Sequence, residues 1–230
     1  MNRIFRVTVL FAAGFWAAEP FGVYAETPHV KRYQIPSGII EYAMEGNRKG
    51  TETVYFSEWG MKEARYASIQ PADAAVEPVL NLLTLTLGEW IYSIDLDRKI
   101  GSKFQDPILT APDQSLIPES VGEFSKGMLE MQGGVLKGKG RHLDRDCDQW
   151  EIEKVRIKAC VWNDIPLKIE WLEPLRELTV SAVRLEENTT IPEDKFAIPP
   201  DVRLESEDAF MLGAQVQEQE PAAPTLQKNP

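Results

Sequence analysis

The sequence predicts an α+β domain: a sheet of antiparallel strands with one face covered by helix. Three observations predict it. Short segments of alternating polar and apolar residues, separated by turn residues, dominate the chain. From Pro118 the period changes, and Val121, Phe124, Met128 and Met131 fall on one stripe of an amphipathic helix that Gly133-Gly134 stops. The only two cysteines, Cys147 and Cys160, fall in a segment that reads as a hairpin.

The strands follow in order. Gly38 to Glu45 alternates, with Ile40, Tyr42 and Met44 on one face and Glu41 and Glu45 on the other. The turn residues 46–50 lead to a second strand over 51–58, and Trp59-Gly60 separates it from a third over 61–69. Residues 71–86 carry Val76, Val79, Leu80, Leu83 and Leu87 at helical spacing, interrupted by Pro78, and are expected to form a short helix or lid loop. Trp90, Tyr92, Ile94 and Leu96 then alternate against Ser93, Asp95 and Asp97, and a turn at 97–99 leads to a partner strand ending near Phe104. Two further strands are expected at 165–172 and 178–186. Residues from 215 on are rich in Gln, Glu, Pro and Ala and read as a disordered tail, with a short helix expected at 206–217.

The segment 147–162 predicts its own register. With Glu153-Lys154 as a two-residue turn, Glu151 opposes Arg156, Gln149 opposes Lys158 and Cys147 opposes Cys160, while Ile152 meets Val155 and Trp150 meets Ile157. The two cysteines are then about 5 Å apart at Cα, within disulfide range.

The N-terminus reads as an export signal. Arg3 and Arg6 precede an apolar run from Val7 to Ala18, and Val23-Tyr24-Ala25 offers small residues where a signal peptidase reads. The run is too short to span a bilayer as a helix; an uncleaved anchor is the alternative reading. Cleavage after Ala25 would leave a lead-in over 26–36, a folded domain over 37–204 and a C-terminal helix or tail over 205–230, exported to the periplasm. There a lone cysteine pair is expected to be oxidised.

Charge and motifs exclude several classes. The net charge is −11, and the first 25 residues carry Arg3, Arg6 and Glu19, so the remainder stands at −12. Such a surface repels nucleic acid and anionic membrane surfaces. There is no nucleophile elbow, Walker loop or dinucleotide fingerprint. The histidines, His29 and His142, lie far apart, and the three alternate aspartates Asp144, Asp146 and Asp148 lack the glycine and distal glutamate of a calcium loop. The expectation is no enzyme, no catalytic residue, no cofactor and no metal. Candidates for an apolar ligand cavity are Tyr42, Trp90, Tyr92 and Trp150 on strands and Val121, Phe124, Met128 and Met131 on the helix, against the alternative that each is simply core.

The blocks "SGIIEYAMEG", "KGTETVYFSEWG", "WIYSIDLDRKIGSKFQDP", "CVWNDIPLKIE" and "IPEDKFAIPPDV", in that order over residues 37–202, resemble the LolA/LppX superfamily of bacterial periplasmic proteins, specifically an uncharacterised LolA-like domain family. The resemblance implies a strongly curved antiparallel sheet, a half-open β-barrel, closed on its concave side by one or more helices. It also implies a hydrophobic ligand such as a lipid or acyl chain held between sheet and helices, as in lipoprotein carriers. The alternative is a periplasmic interaction or envelope-sensor module on the same fold, with a protein partner and no lipid transport.

Overall fold

The computed structural model describes residues 31–71, 78–106, 109, 126, 129, 130, 132–172 and 177–205. Their strands form one twelve-stranded sheet, joined by short 3-10 turns at Glu58–Gly60, Glu153–Val155 and Glu193–Phe196. The strands are β1 (Gly38–Gly46), β2 (Lys49–Ser57), β3 (Lys62–Gln70), β4 (Leu80–Leu87), β5 (Trp90–Asp95), β6 (Ile100–Gln105), β7 (Gly134–His142), β8 (Arg145–Ile152), β9 (Ile157–Trp162), β10 (Ile165–Trp171), β11 (Leu178–Glu187) and β12 (Arg203–Glu205). Their spatial order is β12-β6-β5-β4-β3-β2-β1-β11-β10-β9-β8-β7. Two antiparallel meanders, β1–β6 and β7–β11, therefore join where β1 pairs with β11, and β12 adds a parallel edge to β6.

The α+β expectation is overturned. Alternating strands need both faces shielded where both carry apolar residues. Among the described residues the cover comes from non-strand segments, an extended lead-in on one face and a segment with the short 3-10 turn Glu193–Phe196 on the other, not from an α-helix. On one face Tyr33 and Ile35, from the segment before β1, pack with Ile40, Tyr42, Val54 and Phe56; the Tyr33 and Phe56 rings meet edge to face at 4.8 Å. On the other, Ile191 and Phe196, supported by Ile198 and Val202, lie over Ala64, Leu83, Leu85 and Ile94. The predicted helical stripe Val121, Phe124, Met128 and Met131 lies outside the described residues, as do the signal segment 1–25 and the tail from 206.

Two local expectations are also corrected. Residues 80–87 form a strand instead of continuing a helix: Leu83, Leu85 and Leu87 alternate with the β-branched Thr84 and Thr86, and the period of two prevails. The β8–β9 hairpin keeps its predicted faces but slips by two residues. Gln149 opposes Cys160 and Glu151 opposes Lys158, because residues 153–155 form a 3-10 turn and Arg156 turns left-handed (φ 51°). A slip of two preserves the side-chain alternation. Cys147 and Cys160 accordingly still form their disulfide, diagonally and at 5.4 Å between Cα atoms, with both residues buried.

The open sheet is bent. Seven strand intervals separate β6 from β10, about 34 Å in a flat sheet. Yet Arg32 pairs with Asp106, just beyond β6, while the Gln34 amide donates to Asn163 O at 3.2 Å in the β9–β10 turn. Arg32 and Gln34 are two residues apart, a span of at most about 7 Å, so the two parts of the sheet curl toward each other around this strap.

Candidate functional site

The strand registers place one face of β1–β6 in rows. Ile40, Val54, Arg65, Thr84, Ser93 and Ser102 form one row, and Phe56, Glu63, Thr86, Ile91 and Phe104 the next, toward the strap. On the far side, Tyr42, Glu52, Ala67, Leu82, Asp95 and Ile100 make a third row, and Met44, Gly50, Ile69 and Leu80 a fourth. The face thus has a polar middle, and its far end carries Met44, Ile69, Leu80, Leu82 and Ile100 around Glu52 and Asp95. Met44, Ile69, Leu82 and Ile100 are half-buried and Leu80 is exposed.

The strap, residues 31–36, closes the near end. Its backbone is fixed to the β2–β3 connection: the Arg32 and Tyr33 amides donate to Trp59 O at 2.8 and 3.1 Å, and the Trp59 amide donates to Pro36 O at 2.9 Å. Glu58 and Trp59 both adopt left-handed backbone to make this connection, and Gly60 follows at φ 83°. A Cβ at Gly60 would stand 2.7 Å from the Tyr33 ring, so glycine is required there for packing as well as conformation.

Below the strap lies a partly buried charged network. The Tyr33 hydroxyl donates to Glu63, Arg65 Nε donates to Glu63 Oε1 at 2.6 Å, Arg65 Nη2 donates to the Tyr33 hydroxyl at 3.2 Å and Arg65 Nη1 to Glu52 Oε2 at 3.3 Å. The Tyr42 hydroxyl donates to Pro166 O at 3.0 Å, linking β1 to β10. Burial pushes the Tyr33 and Tyr42 hydroxyls well above the ordinary tyrosine value; for Tyr33 the adjacent Glu63 charge adds to the rise and Arg65 opposes it. Burial likewise raises Glu52, against the pull of Arg65. The neighbouring carboxylates hold the Arg65 guanidinium charged despite its desolvation. Buried ions persist only when paired, and here one arginine serves two glutamates and a tyrosine. Arg32 with Asp106 forms a second, partly buried pair, and among the described residues the buried Arg32 Nε has no hydrogen-bond partner.

The sequence-predicted candidates are distributed over this scaffold. Tyr42 lies on the face just described, in the first core cluster. Trp90 and Tyr92 lie on the opposite face of β5, with Lys103 Nζ 3.7 Å from the Trp90 ring centroid and 5.6 Å from that of Tyr92. Trp150 is buried on β8. Tyr42 and the β5 aromatics are therefore not brought together. Sequence reasoning missed Tyr33, Glu52, Glu63 and Arg65. Their signal was present: Glu52, Glu63 and Arg65 take inward positions of alternating strands, where an unpaired charge would be costly. Among the described residues, no group of His, Cys, Asp and Glu has the arrangement of a metal site, and no helix is long and apolar enough to cross a membrane.

Among the described residues, fold and face together define one curled, open, mostly antiparallel sheet with an amphipathic inner face. No family model and no curated protein matches the sequence. Among solved structures, the chain is similar to an uncharacterized conserved protein from Thermus thermophilus, with a TM-score of 0.51 at 7% identity over 76% of this chain and 95% of that one. PNGF-II aligns with a TM-score of 0.40 at 9% identity, over 79% of this chain and 33% of that one. A DUF1329 family protein from Desulfovibrio piger aligns with a TM-score of 0.28 at 11% identity, over 72% and 90%. The Thermus similarity shows a shared fold; the other two are too weak to carry an argument.

Proposed function

We propose that the chain is an exported, non-enzymatic periplasmic protein of the LolA/LppX-like kind that binds a lipid or other acyl-bearing ligand on the inner face of its sheet. The observation that carries this reading is the floor of half-buried apolar side chains Met44, Ile69, Leu82 and Ile100, interrupted by Asp95, beside a polar cluster in which Arg65 pairs with Glu63 and Glu52. Acyl chains gain from leaving water at about 25 cal/mol per Å², and this floor offers them a surface that a sealed core does not. The Cys147–Cys160 disulfide fits an oxidising compartment, as the signal-like N-terminus does.

A fluorescent fatty-acid probe tests the reading. Wild type takes up the probe saturably, and Leu82→Glu, which places a charge on the floor, abolishes uptake while the fold survives. Absence of uptake by the wild-type protein, or uptake unchanged by Leu82→Glu, refutes it. The second reading, an envelope interaction module, is supported by β7, a nine-residue strand that among the described residues pairs only with β8 and exposes Val135 and Leu136. Crosslinking from β7 to one envelope protein, with no lipid bound, would favour it.

A further inference from the structure

The second meander bends back on itself and encloses a cleft that the acyl-binding face does not use. Four strand intervals separate β7 from β11, about 19 Å in a flat sheet. Even so, His142, at the end of β7, places its Nε2 2.7 Å from Ala182 O on β11, and Arg145 Nε donates to Glu187 Oε1 at 3.1 Å. A carbonyl only accepts, so His142 carries its proton on Nε2 in this contact. These two contacts latch the curl. Between the strands is a cavity of about 410 Å³.

Four cations, Lys137, Arg141, Lys158 and Lys168, line it against two carboxylates, Glu151 and Glu170, an excess of two positive charges on a chain whose net charge is −11. The register explains the grouping. Glu151, Lys158 and Glu170 share one cross-strand row, and Gln149, Cys160 and Lys168 the adjacent one. The buried disulfide fixes the floor at Cys160. Gly140 makes room for the Gln149 amide, since a Cβ there would stand 2.2 Å from Gln149 Nε2. The lysines differ in how well they are satisfied. Lys168 donates to Glu170 at 2.8 Å. Lys137 has carboxylates of Glu151 and Glu153 only at 3.6 Å, and Lys158 has Glu151 at 4.0 Å, beyond hydrogen-bond length. Each ammonium therefore has donors to offer an incoming acceptor.

We infer that this cleft binds a compact phosphate or carboxylate anion, with Lys158 and Lys168 as its principal ligands, the Gln149 amide as a further donor, and Glu151 as a competitor that keeps the site specific for a ligand of high charge. Such a ligand reaches the site as a free anion or as the headgroup of a lipid.

The test is an amide-resolved NMR titration of the oxidised full mature chain with inorganic phosphate at constant ionic strength. Saturable shifts are expected at Gly140, Gln149, Lys158 and Lys168. The Lys158→Gln/Lys168→Gln double variant should bind at least tenfold more weakly, whereas Lys99→Gln/Lys103→Gln, on distant exposed lysines, should bind as wild type. Glu151→Gln should tighten binding severalfold, a readout independent of any loss of fold in the lysine variant. Dihexanoyl phosphatidic acid distinguishes the sources: binding tenfold tighter than phosphate, and lost in the double variant, identifies a lipid headgroup, while equal affinity identifies a free anion. Non-saturating shifts, or phosphate affinity unchanged in both the lysine double variant and Glu151→Gln, would overturn the inference and leave a solvated face of ion pairs. Neither outcome depends on fatty-acid uptake by the inner face, so the two sites fail or stand separately.

Discussion

Removing the Cys147–Cys160 bond should destabilise the protein by about 3 kcal/mol. The two residues are 13 apart in sequence, and cross-linking a loop of that size restricts the unfolded chain by roughly that amount. The folded state gives no reason for a smaller effect: both cysteines are buried in the core cluster that contains Tyr42, Ile165 and Leu167. Alanine is the appropriate replacement, because serine would bury hydroxyls in the same place. For a domain of this size, about 3 kcal/mol lowers the melting temperature by roughly 6–12 °C. Urea denaturation of Cys147→Ala/Cys160→Ala, followed by circular dichroism, measures the loss directly, and reduction of the wild type under native conditions should reproduce it. The hairpin itself should persist, since Trp150 and Ile152 are buried independently of the bond. A loss below about 1 kcal/mol, or two reactive thiols in unreduced, denatured protein, would refute the reasoning.

Other outcomes follow from the strap and the network beneath it. Tyr33 ionises less readily folded than unfolded, so its contribution to stability is complete below its ordinary value of 10.0 and is lost as pH rises above it. Absorbance at 295 nm should show Tyr33 ionising only with alkaline unfolding, and Tyr33→Phe should reduce the number of protons released in that transition; release from Tyr33 in the native state would contradict this. Glu52, also raised by burial, loses stability as pH climbs from the ordinary glutamate range through its folded value. Glu52→Gln should therefore gain stability relative to wild type as pH rises from 4.5, and a difference between the two proteins that does not change with pH would dismiss the desolvation argument. Gly60→Ala should cost more than Gly88→Ala by about 1–3 kcal/mol: both glycines have positive φ, but a Cβ at Gly60 strikes Tyr33 whereas at Gly88 it meets nothing within 4 Å. Equal melting temperatures would mean that the strap is not packed as described.

Alternation made most of the first meander readable. Ile40, Tyr42 and Met44 share one face by period alone, and the register with β2 agrees, while the pairing with β11 shifts by one residue between Glu41 and Tyr42. The cysteine pair was also legible, because a register error of two residues leaves faces unchanged. What escaped was set by contacts distant in sequence. Strand β7 reads Val-Leu-Lys-Gly-Lys-Gly-Arg; glycines at Gly138 and Gly140 mute its pattern, and only pairing with β8 establishes it. Leucines at 80, 83 and 87 fit a helical stripe as well as a strand until β3 and β5 pair on either side. Tyr33 sits 30 residues from Glu63, and no local pattern links an N-terminal lead-in to a buried carboxylate. The segments that cover the two faces, residues 31–36 and 191–202, carry neither a strand nor a helix period, so nothing local marks them as cover.

Native mass spectrometry of the protein purified from the periplasm, with its N-terminus sequenced, tests the central claim most directly. The expected species is a chain beginning at Glu26 that carries a stoichiometric acyl-bearing adduct, released on denaturation and absent from Leu82→Glu. A ligand-free mass for wild-type protein of intact fold, or a chain retained in the membrane pellet from Met1, would contradict it.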